Sequence, residues 1–103
     1  MDESTRIQVA TCLHVLADQE TWNDEIWQSC YDLVGANLEN SLLAYVYDDV
    51  IHYSGLFRSR NMFGFRVRPD QRELARYRQE FRDVATALRD SISLDEAQRK
   101  YGF

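Results

Sequence analysis

The stretch YVYDDVIHYSG, residues 45 to 55, contains two adjacent carboxylates, a histidine and three tyrosines. If it is a β-hairpin, Asp48 and Asp49 form the connection, because aspartate bonds to nearby backbone and tolerates turn conformations. If residues 38–53 are instead a helix, Asp48, Asp49 and His52 share one face. The same range also has apolar residues about four apart, which suits a helix (Leu38, Leu42, Val46 and Val50). We predict the hairpin and keep the helix as the alternative.

The composition of the neighbouring sequence also favours strands. LLAYVY (42–47), VIHYSGLF (50–57) and FGFRVR (63–68) are rich in β-branched and aromatic residues. The connections are too short for parallel pairing, which needs a crossover of a dozen or more residues. The sequence therefore predicts a small three-stranded antiparallel meander.

Helical patterns lie on both sides of this region. Apolar residues at helical spacing predict helices over 5–19 and 24–34, with Gly35 ending the second in a left-handed conformation. After Pro69, the pair Asp70 and Glu73 has the spacing of a helix cap. A long amphipathic helix follows, with an apolar stripe of Leu74, Tyr77, Phe81, Val84 and Leu88. A short helix after Ser93 completes an α+β fold.

Length and composition predict a single domain over residues 1–103, since a chain of this size has no room for a second core. No apolar run is long enough to span a bilayer, and the acidic start is unlike a signal peptide, so we expect a cytoplasmic protein without a membrane partner. Cys12 and Cys30 lack CxxC spacing and are expected to be free thiols.

Charge is distributed unevenly along the chain. Residues 1–50 contain ten acidic residues and one arginine, a net charge of −9, whereas residues 51–103 have a net charge of +4. No catalytic, cofactor or metal motif is present. We therefore expect a non-enzymatic binding protein of the immunity or antitoxin kind, which neutralises a basic protein partner. The predicted contact residues are acidic or aromatic, with one histidine: Asp24, Glu25, Tyr45, Tyr47, Asp48, Asp49, His52 and Tyr53.

Two other functions remain open. The arginines interleaved with aromatics over 58–68 are compatible with nucleic-acid binding, although an acidic domain must overcome its own field near a polyanion. Asp48, Asp49 and His52 are compatible with a metal-dependent enzyme if they lie on a helix. The sequence permits both a monomer and a homodimer.

Overall fold

Five helices form the structure, a computed structural model that describes residues 1–58, 62–65 and 68–103. They are α1 (Glu3–Asp18), α2 (Asp24–Gly35), α3 (Ser41–Arg58), α4 (Gln71–Arg89) and α5 (Leu94–Tyr101). These ranges contain no β-strand, so the fold is all-α and the predicted α+β class is wrong.

Each helix begins at a polar residue that accepts hydrogen bonds from free backbone N–H groups. Asn23, Asp70 and Ser93 cap α2, α4 and α5, and for Asp70 the spacing with Glu73 predicts this. Asp2 caps α1. Asn40 caps α3, because its side-chain oxygen accepts from the N–H groups of the second and third helical residues.

The predicted first two strands and their turn are one continuous helix of 18 residues, α3. Asp48 and Asp49 lie within this helix rather than in a hairpin connection. The buried positions of α3 recur at helical spacing: Leu42, Leu43, Val46, Val50, Tyr53 and Ser54. Helix propensities of aromatic and β-branched residues are lower by only a few tenths of a kcal/mol each, so burial of this face outweighs them.

The predicted third strand is also wrong within the part that the structure describes. Residues 62–64 form a turn, in which Gly64 has a φ of +81°. Arg66 and Val67 lie outside the described residues. Gly35 belongs to α2 and is not left-handed as expected; the cap residue after it is Ala36, in the right-handed α conformation.

The first four helices pack side by side in an antiparallel ring. α1 contacts α2 and α4, and α3 closes the ring by contacting α2 and α4. The direction follows from paired residues, since Asp18 meets Arg82 whereas Thr11 meets Arg89. This is the arrangement of an up-and-down four-helix bundle. α5 packs on α4 and leads back toward α3.

The ring encloses one apolar core, to which every helix contributes. Cys30 is buried there, Cys12 is half-buried beside it, and neither forms a disulfide. Burial raises the pKa of the Cys30 thiol to about 12. None of the helices in the described ranges is long and apolar enough to cross a membrane.

Candidate functional site

α3 distributes the residues of the predicted contact cluster over different sides of the helix, because neighbouring helical residues are about 100° apart. Tyr47 points toward α2, where its hydroxyl meets Tyr31. Tyr45 and Asp49 point toward α4, where both meet Glu80. Tyr53 is only 2% exposed and lies in the core. It is therefore not part of any contact surface.

The side of the bundle formed by α2 and α3 carries a pair of stacked tyrosines. Tyr31 and Tyr47 have ring centroids 5.5 Å apart, and the Tyr47 hydroxyl donates to the Tyr31 hydroxyl over 3.0 Å. This hydrogen bond and partial burial raise the pKa of Tyr47. Gly35 makes the close packing possible, since a Cβ there would lie 3.3 Å from the Tyr47 ring. Trp27 stacks on the other side of Tyr31, at 5.1 Å.

Acidic residues border this tyrosine pair on both helices. Asp32 follows Tyr31 and Asp48 follows Tyr47, and both carboxylates belong to exposed residues. Both tyrosines are partly exposed. We call the surface formed by Tyr31, Asp32, Tyr47 and Asp48 the acidic face.

Within the residues that the structure describes, few ion pairs join the basic second half of the chain to the acidic first half. Within residues 1–58, 62–65 and 68–103, two ion pairs join them: Arg58 with Asp24 at 3.3 Å and Arg82 with Asp18 at 3.0 Å. Neither Asp32 nor Asp48 is in an ion pair within these ranges. Their charge therefore remains at the surface, where it acts on molecules in solution.

Asp24 and Glu25, two further predicted contact residues, differ in their surroundings. Asp24 accepts hydrogen bonds from the Trp22 indole and the Arg58 guanidinium. The same guanidinium lies over the Trp27 ring, 5.2 Å from its centroid. Glu25 is exposed and borders a groove between α1 and α2. Asp24 thus has a structural role that Glu25 lacks.

The opposite side of α3 forms a second polar cluster with α4. The Asp49 carboxyl group and the Tyr45 hydroxyl both lie close to the Glu80 carboxyl group. Burial and the Asp49 carboxyl group raise the pKa of Glu80 to about 8, against the opposing effects of Tyr45 and Arg76. At neutral pH Glu80 is therefore largely protonated.

Tyr45 and Glu80 line a groove of about 410 Å³ between α3, α4 and the residues that follow α5. Phe103 stacks on Tyr45 at 5.2 Å and forms one wall. Asp83 and Gln79 extend the lining along α4. We call this the carboxyl groove. Arg76 also lines the groove, so a cation already lies beside its carboxyl groups.

The Asp49–Glu80 pair predicts that stability falls as pH rises. Glu80 ionises near pH 4.5 when unfolded but near 8 when folded, so its protonated form stabilises the fold fully below pH 4.5 and progressively less toward pH 8. We expect wild type to lose about 1–2 kcal/mol between pH 5 and pH 9, a figure reduced because Glu80 is half-exposed. Glu80→Gln, which cannot ionise, should flatten this dependence in urea unfolding at pH 5, 7 and 9. Glu73→Gln, at an exposed site on the same helix, is the control, and a Glu80→Gln slope equal to wild type would contradict the pairing.

The predicted metal ligands do not come together. His52 is exposed one helical turn after Asp48, whereas Asp49 faces Glu80. Across the described part of the chain, no group of three or more histidine, cysteine, aspartate or glutamate side chains is placed to hold a metal ion.

The arginine-rich segment 58–68 follows α3. Arg58 and Arg68 are exposed, and Arg66 lies outside the described residues. Between them, Met62, Phe63 and Phe65 are exposed by 90%, 76% and 70%.

Comparisons with protein-family models, with curated proteins and with solved structures return no match to this chain. The functional interpretation therefore rests on the surfaces described above.

The sequence prediction missed Tyr31 and Glu80, although each completes a pair with a predicted residue. In the sequence, Tyr31 indicates only an apolar position of α2, and Glu80 indicates only part of a charged face of α4. One signal in the sequence was available: if residues 38–53 are a helix, Tyr45 and Asp49 are four residues apart and lie on one face.

Proposed function

We propose that this chain is a small helical binding protein, without catalytic activity, that recognises a basic protein partner through the acidic face. The observation that carries the proposal is the pair of exposed carboxylates, which form no ion pair within the described residues, beside two ordered tyrosines. An inhibitor that neutralises a basic partner, as immunity proteins and antitoxins do, has this combination of size and charge.

The tyrosine pair supplies contact area at low entropic cost. Stacking, the mutual hydrogen bond and the close approach of Gly35 restrict Tyr47 before any partner arrives. Side chains that are already ordered lose less conformational freedom on binding. Tyrosine is also among the residues that most often dominate the energy of protein interfaces.

The carboxylates contribute mainly to the rate of encounter. Exposed charges attract an oppositely charged partner over distances set by the Debye length, about 8 Å at 0.15 M ionic strength. Such attraction raises association rates by ten-fold or more at low salt and changes dissociation less.

Capture with immobilised wild-type protein at low ionic strength, followed by identification of the bound molecule, supplies the partner. Recovery of a basic protein that elutes with salt supports the proposal. Recovery of nucleic acid alone would contradict it and favour the arginine-rich segment as the binding element.

The acidic face is then tested by charge reversal. Asp32→Lys combined with Asp48→Lys should slow association at least ten-fold at low ionic strength, as measured by stopped flow, and salt should reduce the difference. Glu73→Lys with Asp90→Lys makes the same change of charge at exposed positions of α4 and its cap, and should slow association far less. Equal effects of the two double variants would show that net charge, rather than this face, governs encounter. Asp24 is not reversed, because its loss would remove the contacts with Arg58 and Trp22.

A further inference from the structure

Three large apolar side chains are exposed together between α3 and α4. Met62, Phe63 and Phe65 lie around the turn at Gly64, and between 70% and 90% of the surface of each is accessible. We call residues 62–65 the apolar tip. Burial of such a surface is worth roughly 25 cal/mol per Å², so a tip of this composition favours a binding surface that removes it from water.

The sequence around the tip is basic: residues 50–69 include four arginines and no acidic residue, and Asp49 and Asp70 flank this range. Arg68 is exposed, whereas the exposed Arg58 forms an ion pair with Asp24. The occupant of this surface must therefore combine an apolar cavity with negative charge.

The chain itself has a receptor with this chemistry. A groove of about 280 Å³ lies between α1 and α2, and its lining is mostly apolar, with one carboxylate, Glu25. The lining residues are Thr11, Cys12, Val15, Glu25, Ile26 and Ser29. A cavity of about 150 Å³ can hold one benzene molecule, so this groove has room for a phenylalanine ring. It belongs to the half of the chain whose net charge is −9.

We propose that the apolar tip of one copy docks into the α1–α2 groove of a second copy. The overall charge of the chain decides between the possible occupants. A nucleic acid or an anionic bilayer would be repelled by the acidic first half, whereas a second copy presents that same acidic half as an attractive surface for the tip. Tip and groove are both present in each copy, so two reciprocal contacts close a twofold dimer.

The position of α3 supports a reciprocal arrangement. Arg58, the last residue of α3, contacts Trp22 and Asp24 at the start of α2. Glu25 of the groove is the next residue along α2. The tip and the groove thus lie toward the same end of the bundle, and a single twofold axis at that end brings each tip to the other copy's groove.

Sedimentation velocity from 1 to 500 µM tests the proposal without any partner. Wild type is expected to show a concentration-dependent dimer. Phe63→Ser with Phe65→Ser should weaken dimerisation at least ten-fold, whereas Leu38→Ser with Ile51→Ser, which changes two exposed apolar residues elsewhere, should alter it less than three-fold. A wild type that stays monomeric at 500 µM, or a dimer unaffected by the tip variant, would overturn the proposal.

The groove is tested separately by Val15→Lys, which places a cation in the apolar lining at an exposed position of α1 and opposes both the apolar and the basic residues of the tip. It should weaken the dimer as the tip variant does, and combining the two should add little, because both remove the same contact. Full additivity, or no effect of Val15→Lys, would overturn docking into this groove. Binding of the monomer to anionic vesicles or to single-stranded RNA, lost in the tip variant, would overturn it as well and assign the tip to that ligand.

Discussion

Replacement of Phe81 with alanine is expected to lower the free energy of unfolding by about 3–5 kcal/mol. Phe81 is fully buried on α4, and the edge of its ring meets Tyr53 of α3 with centroids 5.1 Å apart. The substitution leaves a cavity where α3 and α4 meet, and it removes this aromatic contact as well.

Urea unfolding monitored by circular dichroism measures the loss. Arg72→Ala, at an exposed position near the start of α4, is the control and should change stability by less than about 0.5 kcal/mol. A Phe81→Ala midpoint close to that of the control would mean that the buried face of α4 is assigned incorrectly.

The sequence was sufficient to predict α4, because several independent signals agree there. The predicted apolar stripe of α4 is buried in full, and Asp70 caps the helix as its spacing with Glu73 indicated. Ser93, after which the sequence predicts a short helix, caps α5. Where capping residues and a period of 3.6 coincide, local sequence determines the element.

α3 shows why the same reasoning failed one segment earlier. Its tyrosines, valines and isoleucine have the composition of a strand, and composition received more weight than period. The decisive local signal was Asn40, whose side chain caps the helix. The buried positions of α3, from Leu42 to Tyr53, follow this cap. The tertiary reason is burial, since α3 packs against both α2 and α4.

The candidate site was predictable only in part, because each of its pairs joins residues from two helices. Tyr47 and Tyr45 were predicted as contact residues, but their partners Tyr31 and Glu80 are 16 and 35 positions away. Which helices become neighbours depends on how all four helices pack in the bundle. From the sequence alone, residues adjacent in the chain were grouped as one site. In the structure, their side chains point to different sides of α3.

Trp27→Ala is expected to destabilise the protein by about 3–5 kcal/mol and Trp27→Phe by about 1–2 kcal/mol. Trp27 is 7% exposed, and its indole N–H donates to the Val50 carbonyl of α3 over 2.8 Å. Phenylalanine keeps much of the buried ring but loses this hydrogen bond, so the difference between the two variants separates packing from hydrogen bonding. Trp22→Phe, at a half-buried position nearby, is the control for urea unfolding and should cost less than Trp27→Phe.

The same tryptophan connects the core to the acidic face, so its replacement has a second consequence. Trp27 stacks on Tyr31, which in turn stacks on Tyr47, and the indole hydrogen bond fixes the distance between α2 and α3. Trp27→Phe should therefore leave the association rate with a captured basic partner unchanged, because no charge is altered, and should raise the dissociation rate severalfold, because the tyrosine pair is less ordered. Asp32→Lys with Asp48→Lys should have the opposite profile, with a large effect on association and a small one on dissociation. If Trp27→Phe lowers stability but leaves both rate constants unchanged, the tyrosine pair is a packing feature of the bundle and the partner binds elsewhere.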